Sequence, residues 1–269
     1  MALLGRDLAV LTKGGGLTVV SFERNEMTDL ELAGSSAPAC ALGSCGRETI
    51  VSGHEDGSVV LRRLGDDKVR GFSLRPAGVR ALACDRRGRI CAGTADGYFF
   101  RLDPESGTAD IIRFAGRSVA LIKAFLRDRI LAVTEPAAEN GPDAARLHIL
   151  DLEGRTSRTI ELEPERRVTS VSVDYDGRII AGLRGGEGLS APPRASLLIL
   201  DLGGEAASRS ELAGHSGGTR DCLTMGPKVI SCGREETGRA ALRVWGTEYY
   251  VRTELNKLAI RSTWPSSLR

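Results

Sequence analysis

Arginines are the residues of this chain whose type and placement could bind something. Arg80, Arg117, Arg167 and Arg220 each stand at the start of a short apolar run, in four different copies of one repeated pattern. A guanidinium is a planar fork that grips carboxylate or phosphate oxygens two at a time. A convergent set would suit an acidic or phosphorylated segment or a nucleic-acid backbone. Arg184, Arg194 and Arg234 lie in or beside loops of the same repeats and join the candidate set. The plainer alternative is that such arginines pair with nearby Asp and Glu as exposed ion pairs of small energy.

Catalytic groupings are not evident. Gly-x-Ser-x-Gly and His-Glu-x-x-His do not occur, and the paired acids Asp66-Asp67 and Glu235-Glu236 sit in predicted loops, where a solvated turn explains them. His54 falls in a predicted turn and His148 in a predicted strand, each without a nucleophile or metal partner nearby in sequence. Gly14-Gly15-Gly16 lacks the Gly-Lys-Ser/Thr of a phosphate loop and reads as a hairpin turn. Six cysteines contain no Cys-x-x-Cys pair, which argues against structural zinc. Cys84 and Cys91 flank one turn and Cys222 and Cys232 another, so cross-strand disulfides are conceivable, although small buried hydrophobes are the simpler reading. The expectation is no catalytic residue, no metal and no cofactor.

The elements that must position the arginines are repeated hairpins. Residues 50–61 lie over residues 90–101 without a gap, at an offset of 40, and each copy centres on an Asp-Gly turn, Asp56-Gly57 and Asp96-Gly97. Two apolar runs joined by Asp-Gly are a strong β-hairpin signal, here predicting type I′ turns. Related runs bring the count to six units, approximately 1–34, 35–76, 77–116, 117–165, 166–214 and 215–255. Each divides into four short strands with Gly, Asp or Pro between them, as at 79–84, 89–93, 98–102 and 109–114. A repeat period near 40 predicts an array of four-stranded sheets, and no amphipathic helix is found. The first unit lacks an opening strand before Asp7, and residues 256–262 are left over at the other end. Pairing this C-terminal strand into the N-terminal sheet would close a ring and remove both edges.

Several features resemble the tryptophan-aspartate (WD) repeat β-propellers over essentially the whole chain: the Asp56-Gly57 and Asp96-Gly97 turns, Gly214-His215 in place of the family's Gly-His, and Arg243-Val244-Trp245 near the family's Trp-Asp. The signature is degenerate. Trp245 is followed by Gly246, and three other units end the corresponding strand in Leu-Asp (Leu102-Asp103, Leu150-Asp151 and Leu200-Asp201). The resemblance implies a single all-β propeller of four-stranded antiparallel blades, six by the count above, with the family's usual seven as the alternative. It implies that the buried His-Ser/Thr-Asp-Trp hydrogen-bond chain is absent from most blades. It also implies that Arg80, Arg117, Arg167 and Arg220 approach the top rim of a central channel. The long segments 134–146 and 184–195 would be loops on that same face, and insertions collected on one face of a repeat protein mark its binding side.

Thirty-seven basic against 35 acidic residues give a net charge of +2, so general attraction to nucleic acid or membrane is not implied. The absence of Gln and the presence of only three Asn fit a thermophilic protein. Without a signal-peptide pattern or a long apolar run, the expected location is the cytoplasm. The reading is a non-catalytic scaffold that binds protein partners as a subunit of a larger assembly. One alternative is an RNA or ribonucleoprotein-binding propeller, disfavoured by 4% aromatic residues. A second is a metal-dependent small-molecule hydrolase, which needs inward carboxylates on several blades.

Overall fold

The computed structural model describes residues 2–4, 7–12, 16–30, 35–66, 68–74, 76–125, 129–137, 144–151, 156–162, 166–174, 176–185, 197–202, 208–212, 215–225, 228–235 and 239–246. These residues form strands and turns only, in six antiparallel sheets. The fold is a β-propeller, and each sheet is one blade. The chain divides into two compact units, Met1–Pro164 and Glu165–Arg269.

The first unit carries four blades. They are β1 (Ala2–Leu4), β2 (Asp7–Leu11), β3 (Leu17–Ser21) and β4 (Glu26–Leu30); β5 (Ala39–Cys45), β6 (Thr49–His54), β7 (Ser58–Arg63) and β8 (Val69–Ser73); β9 (Val79–Cys84), β10 (Ile90–Thr94), β11 (Tyr98–Leu102) and β12 (Ala109–Arg113); and β13 (Arg117–Phe125), β14 (Arg129–Pro136), β15 (Arg146–Leu150) and β16 (Thr156–Glu161). The second carries β17 (Arg166–Val173), β18 (Ile179–Gly185), β19 (Leu197–Asp201) and β20 (Ser208–Leu212), then a sheet with three described strands, β21 (Thr219–Met225), β22 (Lys228–Arg234) and β23 (Ala240–Gly246).

The apolar runs are strands because each is buried on both faces between neighbouring sheets, which favours short β-branched and aliphatic stretches over alternation. All of β10 is buried, whereas β12 at the outer edge is largely exposed. Phe99 of the third blade packs with Ile122, Ile130 and Leu150 of the fourth. Ile180 and Leu197 of the fifth pack with Cys222, Val229 and Trp245 of the sixth.

Three expectations are corrected. The opening strand of the first blade is not supplied by the C-terminus: β1 pairs with β2 through Ala2↔Ala9 and fills that place, while residues 256–262 lie outside the described residues. The Asp-Gly turns are not type I′. The Gly57 amide donates to the His54 carbonyl at 3.1 Å, and only Gly57, at φ 81°, takes the positive angle, which a type I turn closed by a left-handed glycine requires. Cys84 bonds neither Cys91 nor any residue of its own blade. It forms a disulfide with Cys45, Cα atoms 5.3 Å apart, joining the ends of β5 and β9 in adjacent blades. Cys91, Cys222 and Cys232 form no disulfide. Strand ends brought side by side by blade stacking are invisible to a reading that pairs cysteines across a hairpin.

Candidate functional site

The inner strand of five blades breaks register at the same place. Ala39↔His54 is followed by Ala41↔Gly53, Val79↔Thr94 by Ala81↔Gly93, Val119↔Thr134 by Leu121↔Val133, Val168↔Leu183 by Ser170↔Gly182, and Thr219↔Gly233 by Asp221↔Cys232. The skipped residues, Cys40, Arg80, Ala120, Thr169 and Arg220, are β-bulges, where the extra residue leaves the ladder and its side chain is re-aimed. Two of them hold the next blade. The Cys40 thiol donates to the Val79 carbonyl at 2.8 Å, and the Thr169 hydroxyl donates to the Thr219 carbonyl at 2.7 Å, in each case the residue just before the next bulge.

This register sorts the candidate arginines. Arg80 and Arg220 occupy the bulge and are exposed. Arg167 precedes its bulge by two positions, is exposed, and lies directly opposite Arg184. Arg117 precedes its bulge by three and is only 5% exposed. Its guanidinium donates to the Thr134 hydroxyl at 2.8 Å, to the Thr134 carbonyl at 3.2 Å and to the Ala144 carbonyl. Arg117 therefore braces the fourth blade and does not stand on an open rim. Arg234 is exposed at the end of β22, and Arg194 lies outside the described residues. Counting back from the bulge would have separated these positions, but a bulge leaves little mark on the sequence.

All three histidines of the chain are buried braces, each bonded to a hydroxyl of the second strand of its blade. In the sixth blade His215 Nε2 lies 3.0 Å from Ser231 Oγ, which also accepts from Trp245 Nε1 at 3.0 Å, while His215 Nδ1 lies 3.4 Å from Glu235. In the second, His54 Nε2 lies 3.0 Å from Ser52 Oγ and its Nδ1 lies 2.8 Å from the Ala37 carbonyl. In the fourth, His148 Nε2 lies 2.9 Å from Thr134 Oγ1 and its Nδ1 3.1 Å from Thr159 Oγ1, with Phe114 stacked on the ring.

The turn acids do related work at the blade edges. Asp56 accepts from the Ser58 amide at 2.9 Å, and the Thr94 hydroxyl donates to Asp96 at 2.5 Å. At the opposite ends of the blades, Asp85 pairs with Arg89 and Asp174 with Arg178, each at 2.7 Å, in two copies of an Asp-x-x-Gly-Arg turn.

Burial, together with Arg117 and Arg146, lowers the His148 pKa from 6.5 to about 4, and burial followed by Arg243 lowers that of His215. Both imidazoles are therefore neutral at neutral pH. Burial opposes ionisation of Glu235, but hydrogen bonds from Ser216 and Arg243 outweigh it and hold its pKa down. The Glu235, His215 and Ser231 series has the atoms of an acyl-transfer triad, yet Ser231 is 1% exposed and already accepts from the indole. It stiffens the blade. Cys91, driven up to about 12 by burial, is a thiol and not a nucleophile. Among the described residues no three His, Cys, Asp or Glu gather as metal ligands, and no helix is long and apolar enough to cross a membrane.

No protein-family model matches the chain, and no curated protein matches it in sequence. Solved structures do. A chain in the crystal structure of the mitotic checkpoint complex superposes with a TM-score of 0.70 at 15% identity, covering 90% of this chain and 71% of that one. The Dos1 propeller superposes with a TM-score of 0.66 at 14% identity, covering 92% and 68%. At such identities the likeness is one of fold.

Proposed function

We propose that this chain is a non-catalytic, WD-repeat-like propeller that acts as a single domain, binding a protein partner within a larger assembly. The observation that carries the reading is the division of labour along the inner strands. Cys40 and Thr169 at the bulge hold the next blade, whereas Arg80 and Arg220 at the same position are exposed. Rigid sheets that present arginine at a structurally fixed place supply a surface and no sealed chemistry. The candidate partner-binding residues are Arg80 in the first unit and Arg167, Arg184, Arg220 and Arg234 in the second, together with Arg194, which lies outside the described residues, while Arg117 braces the fourth blade. That one similar structure comes from the mitotic checkpoint complex agrees with a life in assemblies. We place the scaffold in the cytoplasm of a thermophilic source. A disulfide such as Cys45–Cys84 occurs intracellularly in hyperthermophiles, and the absence of Gln points the same way.

The test is a pull-down from native lysate with the wild type beside Arg80→Glu/Arg220→Glu, both checked for folding by circular dichroism. A partner held by the wild type and lost by the folded variant supports the scaffold. If neither protein retains a partner, the reading fails.

A further inference from the structure

The sixth blade is covered on one side only. Directly opposite residues share a face of a sheet. The rows Asp221↔Cys232↔Leu242 and Leu223↔Ile230↔Val244 therefore lie on one face, and Cys222↔Ser231↔Arg243 and Thr224↔Val229↔Trp245 on the other. On the second face Cys222, Val229 and Trp245 pack against Ile180, Leu197 and Ile199 of the fifth blade. None of the six residues named for the first face is buried. Leu223 is 50% exposed, Leu242 47% and their neighbour Met225 59%, while Ile230, Cys232 and Val244 are half-buried. The corresponding middle strands of the third and fifth blades are unlike this, since all of β10 and residues 179–183 of β18 are buried. A contiguous apolar patch of this kind marks a contact.

The chain that follows is the nearest candidate for a cover. Strand β23 ends at Gly246, and among the described residues it pairs with β22 alone. Residues 247–269 come next and lie outside the described residues. They include Asn256-Lys257-Leu258-Ala259-Ile260-Arg261-Ser262, in which a strand would set Leu258 and Ile260 on one side and Lys257 and Arg261 on the other. The place this stretch would take in the first blade is filled by β1. Extended chain spans about 3.3 Å per residue, so Leu258 can reach about 40 Å from Gly246. Three strands are only roughly 10 Å across. A tether this short holds the segment at a millimolar effective concentration, which favours it over a second copy of the chain.

We propose that residues 256–262 lie across the open face of β21, β22 and β23, with Leu258 and Ile260 against Leu223, Ile230, Leu242 and Val244. The sixth blade is then covered on both sides by segments of its own unit. This goes beyond the scaffold reading and does not depend on it.

Cys232 stands on the face in question and reports on it. The full chain is alkylated with N-ethylmaleimide under native conditions, and each cysteine is followed by peptide mass spectrometry. Cys40, which is exposed, and Cys222, on the buried face of the same sheet, are the references. Leu258→Asp/Ile260→Asp should raise the Cys232 rate about tenfold and leave Cys40 and Cys222 unchanged, whereas Ser266→Asp should alter none of them. If Cys222 accelerates too, the sheet itself has opened, and a second measurement decides. Leu258→Cys or Ile260→Cys, oxidised with diamide, should form a disulfide with Cys232 in the monomeric fraction. A Cys232 rate unchanged by the double substitution means that the face is open or covered by something else, a second copy included, and overturns the proposal. So does failure of both introduced cysteines to reach Cys232.

Discussion

The second and sixth blades solve one problem from different places in the chain. In both, a serine faces inward at the same register position, Ser52 opposite Leu42 and Ser231 opposite Cys222, the second residue pair beyond the bulge. In both, an imidazole lies 3.0 Å from that hydroxyl. His215 comes from the loop before the inner strand, and Gly233 opposite Thr219 leaves it room. The corresponding residue of the second blade, opposite Ala39, is His54 itself. The ring has moved from the loop to the strand and fills the space that glycine leaves open in the sixth. The fourth blade offers a third route, bringing His148 from the third strand to Thr134. In the second and sixth blades register fixes where the buried hydroxyl stands, whichever segment brings the imidazole, whereas the fourth blade sets its hydroxyl, Thr134, opposite Val119 before the bulge.

The sharpest way to break this equivalence is Gly233→Ala. The added methyl would lie 2.5 Å from the Gly218 carbonyl and collide with the His215 ring, so a loss of about 3 kcal/mol is expected by chemical denaturation. Pairing the same change with His215→Ser removes the collision with the ring but not the one with the Gly218 carbonyl, so only part of that loss should return. If it does not, the two sites are not one space.

Acid probes the brace of the fourth blade. His148 is held near 4 when folded against 6.5 unfolded, so the unfolded chain takes up the proton first as pH falls. Stability contributed by this group is complete above 6.5, declines between 6.5 and about 4, and changes no further below that. The loss is on the order of 2–3 kcal/mol. His148→Gln should lower stability at pH 7 and flatten this limb in unfolding curves taken across the range. An unchanged limb would mean that the imidazole is not the group responsible.

Smaller effects come from the hydroxyls. Ser231→Ala strands both the indole N–H of Trp245 and the imidazole of His215, and should cost about 2 kcal/mol. Ser52→Ala strands only the His54 nitrogen and should cost about 1 kcal/mol. Equal losses in thermal unfolding would show that the indole bond contributes nothing.

The repeat, the six sheets and most strand bounds were legible because two-sided burial leaves a contiguous apolar run between Gly and Asp turns. Residues 79–84 and 98–102, for example, are the observed β9 and β11. Trp245 and His215 were legible as a brace because they match a known pattern residue by residue. The other two braces were not, since His54 and His148 reach their hydroxyls from unfamiliar strands. Nor were the bulges, which alter pairing without requiring a special residue. Cys40, Arg80, Ala120, Thr169 and Arg220 have nothing in common as side chains, so aligning arginines by eye placed Arg117 with Arg80 when it stands three residues before its own bulge. The bond between Cys45 and Cys84 was hidden for a related reason. Each cysteine ends a strand in its own blade, and their approach depends on how blades stack.

That lack of a common side chain has a consequence for how such a protein changes over generations. At the bulge the main chain alone keeps the strands in order, and thiol, guanidinium, methyl and hydroxyl have all been accepted there. Substitution at the exposed positions, Arg80 and Arg220, should therefore carry little penalty to folding, whereas Cys40 and Thr169 are also bonded to the next blade. In each unit the bulge is thus a place where a side chain can change while the order of the strands is kept.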